Sequence, residues 1–387
     1  MSGRRFVWLL APPWDNVPTR QNHFARRLAR LGAEVLYVEN PSAWSSVLKQ
    51  RRWAELPAGK GAAVAEIEPG LHVMRPSLSV PGGKHSDFVA ELNGRLIAGQ
   101  VRAWTRSRGW TGYDCWCRIP YSLFPLRHLD PAQTIYDITD DYELYESSAH
   151  ARRKVREREE ALLERVDHVF ITTAELRQKK SIEDASPRVV PNGVEIDLFA
   201  RASQAGEVHP LVAAARQPVI GYVGLTSHWM DFELLEMLGR RWPGQIVMLG
   251  PIAAQVEARA RAVPGIVWGG FVPQHALGPY LRGFAVCIMP HLVNELRRRS
   301  NPLKICEYLA TGKPFVSVDL PALNAFRELI DVAHDREEFV ALVEKNLQRA
   351  SEPAMVARRQ AAARAFSWDT IFADVLDQLQ PRLRAAA

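Results

Sequence analysis

Lys304 and Glu307 stand where a loop runs into a helix, within the stretch Ser300–Pro314. Ser300 or Asn301 is a suitable N-cap, Leu303 follows, and Pro302 suits the first helical position. Gly312 and Pro314 stop the helix. A helix start presents free backbone N–H groups and the positive end of the helix dipole, which together favour a phosphate. Lys304 adds a point charge there, and Glu307, one turn further, is an acceptor for two ribose hydroxyls. That is chemistry for a nucleoside diphosphate. The same residues also fit a solvated pair on a surface helix. A second group, Asp137, Asp140 and Asp141, lies at the end of a short strand read at Gln133–Asp137 and in the loop it leads into. A carboxylate in such a loop can take a proton from an attacking hydroxyl, or it can cap the next helix. The spacing is not Asp-x-Asp, and no metal is expected. A third group, Trp14, Asp15 and Arg20, lies in the loop after the first apolar run.

These residues need elements to hold them. Phe6–Leu10 reads as a buried strand, followed by a helix marked by Phe24, Leu28 and Leu31, then a strand at Glu34–Val38. This is a βαβ opening and predicts a parallel sheet. It lacks G-x-G-x-x-G, so dinucleotide binding is not expected. Ligands of such sheets sit at the carboxyl ends of strands, which assigns Trp14, Asp15 and Arg20 to an acceptor molecule. Residues 41–80 read as irregular; Trp44, Lys49, Arg51, Arg52 and Trp53 mix aromatic and basic groups as a membrane interface does, or as a solvated loop does. Lys84–Arg108 carries Phe88, Leu92, Leu96, Val101 and Trp104 at helical spacing. Asn192-Gly193, after an apolar run, reads as a turn with φ > 0. A second strand–helix series begins at Pro218, with Gly224-Leu225-Thr226-Ser227-His228 at the end of its first strand. His291 closes the strand Ala285–Met289.

At 387 residues the chain is long enough for two domains. With 47% hydrophobic and 24% charged residues it reads as an ordinary globular protein. No apolar run is long enough to span a bilayer. The four cysteines lack metal or disulfide spacing, which favours reduced core thiols and a cytoplasmic location. The net charge of +6 comes without an aromatic-plus-basic module, so nucleic acid is not an expected partner. The basic loop Leu296–Arg299 steers an anion or is simply solvated.

Three segments resemble GT-B-fold, family-4-like nucleotide-sugar glycosyltransferases: Ser300–Pro314, Pro191-Asn192-Gly193-Val194 with Phe199, and the Gly224 turn. The family's hallmark is a pair of glutamates eight residues apart. Glu307 falls on the second, which holds the ribose, and Arg299 replaces the first. The usual basic pair after the glycine is also absent. The Asp140 segment is similar to the loop bearing the general base in inverting GT-B enzymes, including the xanthan-pathway glucuronosyltransferase. The resemblance implies two Rossmann-like α/β domains facing a cleft: 1–200 for an acceptor, 201–365 for a nucleotide sugar, and 366–387 as a helix crossing back to the first. It implies a glycosyltransferase using a nucleotide diphosphate sugar, UDP-linked, on a saccharide or lipid-linked acceptor in cell-surface polysaccharide synthesis, peripheral to the membrane and without cofactor or metal. The donor site implied comprises Gly224, Thr226, Ser227, His228, Phe271, Val272, His291, Ser300, Asn301, Leu303, Lys304 and Glu307; Asp140 is the base. Two alternatives remain at this point: a GT-B-type sugar-nucleotide epimerase and a catalytically silent subunit of an assembly complex.

Overall fold

A computed structural model describes residues 1–41, 62–77, 79–180, 188–348 and 352–379. The chain divides into two units, Met1–Val190 with the stretch from Val375 onward, and Pro191–Asp374. The change-over at Pro191 comes before the boundary at 200 expected from the sequence. The last helix, Trp368–Leu379, is divided between the two units at Val375.

Unit 1 is built on an eight-stranded sheet in the order β3-β4-β2-β1-β5-β6-β7-β8. The strands are β1 Arg5–Ala11, β2 Glu34–Glu39, β3 Ala63–Glu68, β4 Leu71–Arg75, β5 Asp114–Cys117, β6 Gln133–Ile138, β7 His168–Ile171 and β8 Arg188–Val189. All neighbours run parallel except β3, which pairs antiparallel with β4 at the edge. Parallel strands are covered on both faces, so β1 beyond Arg5 and β5 beyond Asp114 are apolar. Trp8 and Trp116, partners in register across β1 and β5, stack with centroids 4.3 Å apart. Two elements fall within 41–80, which the sequence pattern made look irregular: β3 alternates mostly exposed positions, as an edge strand does, and β4 is short. Trp44, Lys49, Arg51, Arg52 and Trp53 lie outside the described residues.

The helix Asp87–Ser107 forms where helical spacing predicts it, but the marked positions divide: Val101 is buried and Trp104 packs on the core, whereas the first three turn outward. Phe88 (80% exposed), Leu92 and Leu96 face solvent, while Ala90, Gly94, Ile97, Ala98, Val101 and Thr105 are buried. The reason is distance of approach. A Cβ at Gly94 would run into the backbone of Phe124, so the inner face needs small residues and excludes the large ones.

Unit 2 holds a six-stranded, wholly parallel sheet in the order β11-β10-β9-β12-β13-β14. Its strands are β9 Val219–Val223, β10 Ile246–Leu249, β11 Ile266–Gly270, β12 Phe284–Met289, β13 Phe315–Val318 and β14 Asp331–Ala333. Strand order reverses between β9 and β12, and in unit 1 between β1 and β5. Open sheets of this kind bind ligands in the crevice at the carboxyl ends of such a pair. The expected turn at Asn192-Gly193 does not form, since Gly193 is not among the glycines with positive φ. Glycine is needed there for room instead: a Cβ would strike the Trp368 indole and the Phe366 carbonyl. The Val194 N–H donates to the Phe366 carbonyl (2.9 Å) and the Trp368 N–H to the Val194 carbonyl (3.2 Å).

Candidate functional site

In unit 2 the crevice between β9 and β12 is bounded by the helix Lys304–Thr311. Tyr308 anchors that helix: the Val223 N–H donates to its hydroxyl at 2.8 Å, and its ring packs on Phe315. Gly312, at φ +72°, ends the helix in the left-handed conformation. The helix start differs from expectation. It has no side-chain cap. The Ser300 hydroxyl donates to the Arg297 carbonyl (3.0 Å), closing the preceding short helix Glu295–Arg298. Asn301 instead accepts from the Asn192 N–H at 2.8 Å with Oδ1, and from Asn192 Nδ2 at 2.7 Å with its carbonyl. Leu303 takes the cap position with helical backbone angles. Both polar candidates are engaged elsewhere, and the first-turn N–H groups lack a side-chain acceptor.

Lys304 and Glu307 are half-buried and make no ion pair with each other among the described residues. The solvated surface pair is therefore not what forms. Lys304 extends back along its helix start onto Gly224, which sits at φ +142° just past β9. A Cβ at Gly224 would collide with the ammonium, and one at Gly250 with the Gly224 carbonyl. The ammonium also lies 5.2 Å from the Tyr222 ring centre. Burial pulls the Lys304 pKa from 10.5 to about 8, opposed by Glu307 and assisted by Arg297. Burial raises the Glu307 carboxyl, opposed by Lys304 and by the amide of Gln274, which donates at 3.3 Å.

The other residues singled out in unit 2 fall into three kinds. Thr226 and Ser227 are buried, and their backbone shapes the turn: the Thr226 N–H donates to the Pro251 carbonyl (3.0 Å) and the Met230 N–H to the Ser227 carbonyl (3.0 Å). His228 is exposed. Phe271 is 54% exposed after Gly270, while Val272 packs on the core. His291 is buried, and Arg297 Nη2 donates to its Nδ1 at 3.0 Å. A guanidinium only donates, so the imidazole proton is on Nε2, which finds no hydrogen-bond partner among the described residues. Burial, with Arg297 and Lys304 near, holds this histidine neutral. Arg297 belongs to the loop read as steering or solvated; it is buried and lies over Trp229 instead. Arg299, where the family carries its first glutamate, pairs with Glu295 at 3.5 Å.

In unit 1 the three acids separate by environment. Asp137 is fully buried and receives Arg20 Nε at 2.8 Å. Asp141 is buried against Lys179 (3.2 Å) and Lys180 (3.6 Å), and caps nothing with its side chain. Asp140 is half-buried and lines a cavity of about 820 Å³. Of the acceptor candidates, Arg20 is not available in the loop; it is 2% exposed and also donates to the Val190 carbonyl at 2.8 Å. Trp14 is buried too, edge-on to Tyr37 at 4.9 Å. Asp15 is exposed beside Arg75. Sequence reasoning missed Arg118, the first residue past β5, which also lines the cavity; a charge directly after the buried run Asp114–Cys117 was its only signal. Among the described residues no group of His, Cys, Asp and Glu is arranged to hold a metal ion, and no helix is long and apolar enough to cross a membrane.

Two α/β units, each with a strand-order reversal in its sheet, have the architecture of the GT-B fold. Residues 217–350, within unit 2, match the family model described as glycosyl transferases group 1. A Bacillus subtilis (strain 168) protein named "Putative teichuronic acid biosynthesis glycosyltransferase TuaH" is 24% identical over 263 residues, 63% of this chain and 66% of its own length. Among solved structures, sucrose-phosphate synthase from Thermosynechococcus elongatus superposes with a TM-score of 0.73 at 18% identity, covering 99% of this chain and 100% of the other. A trehalose-6-phosphate structure from E. coli, bound with UDP-2-fluoro glucose, gives 0.69 at 12% identity, with 97% and 99% covered.

Proposed function

We propose that the protein moves a sugar from a nucleotide diphosphate sugar, UDP-linked, held by unit 2, to a saccharide or lipid-linked acceptor held by unit 1, in cell-surface polysaccharide synthesis. The observation that carries this is Lys304: a half-buried ammonium seated on Gly224, with no carboxylate within ion-pair distance among the described residues, beside uncapped helix N–H groups. A diphosphate supplies the missing charge. Glu307 accepts from the ribose hydroxyls, and the backbone at Phe271 and Val272 lines the base. The turn at Gly224, Thr226, Ser227 and His228, together with His291, completes the donor pocket. Asp140 takes the proton from the acceptor hydroxyl as its oxygen bonds to the anomeric carbon. The bond from that carbon to the phosphate oxygen breaks, and its electron pair leaves with the nucleoside diphosphate. The reaction inverts the anomeric centre. Lys304 and the N–H groups stabilise the leaving charge, and the reading assigns no step to a metal ion. The name of the B. subtilis relative and the UDP sugar in the E. coli structure support the polysaccharide setting and the nucleotide.

The stripe of Phe88, Leu92 and Leu96, flanked on its helix by exposed Arg95, Arg102 and Arg106, supports peripheral contact with an anionic membrane surface. The deciding test of the donor site is calorimetry with UDP. Glu307→Ala should weaken binding about tenfold or more, the worth of hydrogen bonds to a charged group. Unchanged affinity removes Glu307 from the site.

A further inference from the structure

Unit 1 has its own strand-order reversal between β1 and β5, and a cavity of about 820 Å³ opens at the carboxyl end of these strands. Leu10 from β1, Arg118 and Ile119 after β5, and Asp140 after β6 all line it. Leu10 holds φ +54°, the one described non-glycine residue with positive φ. That conformation is costly for a branched side chain, and such outliers cluster at binding sites.

Arg118 is the unusual member. Most unit 1 cations near the core are matched: Arg20 with Asp137, Lys179 with Asp141, Arg158 with Asp87. Arg118 is half-buried, yet it makes no hydrogen bond or ion pair with any described residue, and its Nε–H is shut off from solvent without an acceptor. The Tyr142 ring lies 6.0 Å from the guanidinium carbon, and Asp137, already bonded to Arg20, and Tyr37 feel its charge without bonding it. A guanidinium presents a planar fork of donors that matches carboxylate and phosphate oxygens. An arginine kept in a cavity with a buried donor unused lacks an anion. The walls add Tyr121, Tyr142 and Tyr145, aromatic faces against which a sugar ring packs through its C–H edges.

We propose that this cavity binds an acidic saccharide, with Arg118 gripping its carboxylate or phosphate group. This rests on the proposed transfer reaction and names the class of acceptor, an anionic sugar rather than a neutral one. Asp140 shares the cavity, so the anionic group must seat on Arg118 while a hydroxyl elsewhere on the ring meets Asp140. A carboxylate placed at Asp140 itself would be repelled.

The test is saturation-transfer NMR on the full chain with three probes: methyl glucuronide, glucose 6-phosphate and methyl glucoside. Each is titrated into the wild type, Arg118→Gln, Arg118→Lys and Lys304→Met. At least one acidic probe should bind at least about tenfold more tightly than the neutral one, matching the worth of one charge-assisted contact. Which acidic probe wins separates a uronate from a phosphate source. Arg118→Gln should abolish that preference and Arg118→Lys restore part of it, whereas Lys304→Met leaves it intact. Equal binding of neutral and acidic probes, no binding of either acidic probe, or acidic binding insensitive to Arg118→Gln overturns the proposal. Loss of acidic binding in Lys304→Met alone places the anion in unit 2 and overturns it equally. UDP binding by Arg118→Gln serves as the folding control. Failure of UDP to bind the wild type strikes the donor reading alone.

Discussion

The two units treat charge in opposite ways. In unit 1 the cations around the core are tied to acids: Arg20 to Asp137, and Lys179 to Asp141 and Glu143. Glu143 shows how complete this is. Burial would raise its carboxyl, yet Arg156 and Lys179 hold it at about 2. In unit 2 the central cation, Lys304, has no acid within ion-pair distance among the described residues, and burial, only partly offset by Glu307, depresses it to about 8. Removing one partner of a paired buried charge destabilises the fold, whereas an uncompensated charge marks a candidate ligand site. Arg118 is the residue of unit 1 that follows the rule of unit 2.

The largest effect expected from testing this contrast is at Asp140. Asp140→Asn should cut turnover about a hundredfold or more, the usual contribution of a general base, with UDP affinity unchanged. A fully active variant would point to a retaining reaction or another base. Next comes Arg20, which the contrast assigns to structure. Arg20→Leu leaves Asp137 buried and unpaired and should cost about 3–5 kcal/mol in urea unfolding. Nucleotide binding by the folded fraction should not change; if stability holds and binding falls, the division between the units is wrong.

Lys304→Met should weaken UDP about tenfold, leave uridine alone, and raise the melting temperature of the free protein. The pH dependence has a definite sign. Folded Lys304 loses its proton near pH 8 and the unfolded side chain near 10.5. Wild-type affinity for UDP should therefore fall as pH rises through about 8. In the window from about 8 to 10.5 the unfolded chain holds more protons on Lys304, so this residue's contribution to the stability of the free protein rises with pH, against the fall contributed by the buried thiols of Cys117, Cys287 and Cys306, each pushed up from 9.0 to about 12. The affinity slope should vanish in the Met variant, and its stability should fall more steeply with pH than that of the wild type; calorimetry and thermal melts across that window read them. The smallest effect is at Phe271. Its side chain is exposed and the base contact is assigned to backbone, so Phe271→Ala should change UDP binding by no more than about 0.5 kcal/mol, the usual limit for surface substitutions.

The parallel sheets were legible because buried parallel strands are written as unbroken apolar runs, as in Phe6–Leu10 and Ala285–Met289. The helix at Lys304 was legible through its stop, Gly312 and Pro314. Its start was not, because Ser300 and Asn301 have capping chemistry but spend it on Arg297 and Asn192. Helical spacing located Asp87–Ser107 and placed Val101 and Trp104 inward, but misjudged Phe88, Leu92 and Leu96, since the close approach to Phe124 at Gly94 leaves no room for large side chains. Arg20 looked like a loop ligand because its partner Asp137 lies more than a hundred residues away. Nothing local distinguishes such an arginine from Arg118; only the folded chain shows which one has an acid beside it.

A cation held beside uncapped amide groups recognises a diphosphate whether or not a sugar is still attached. In the proposed reaction, the feature that would stabilise the leaving charge would also retain the spent nucleotide. The protein should be inhibited by its own product, and its flux set by whatever clears nucleoside diphosphate from its surroundings.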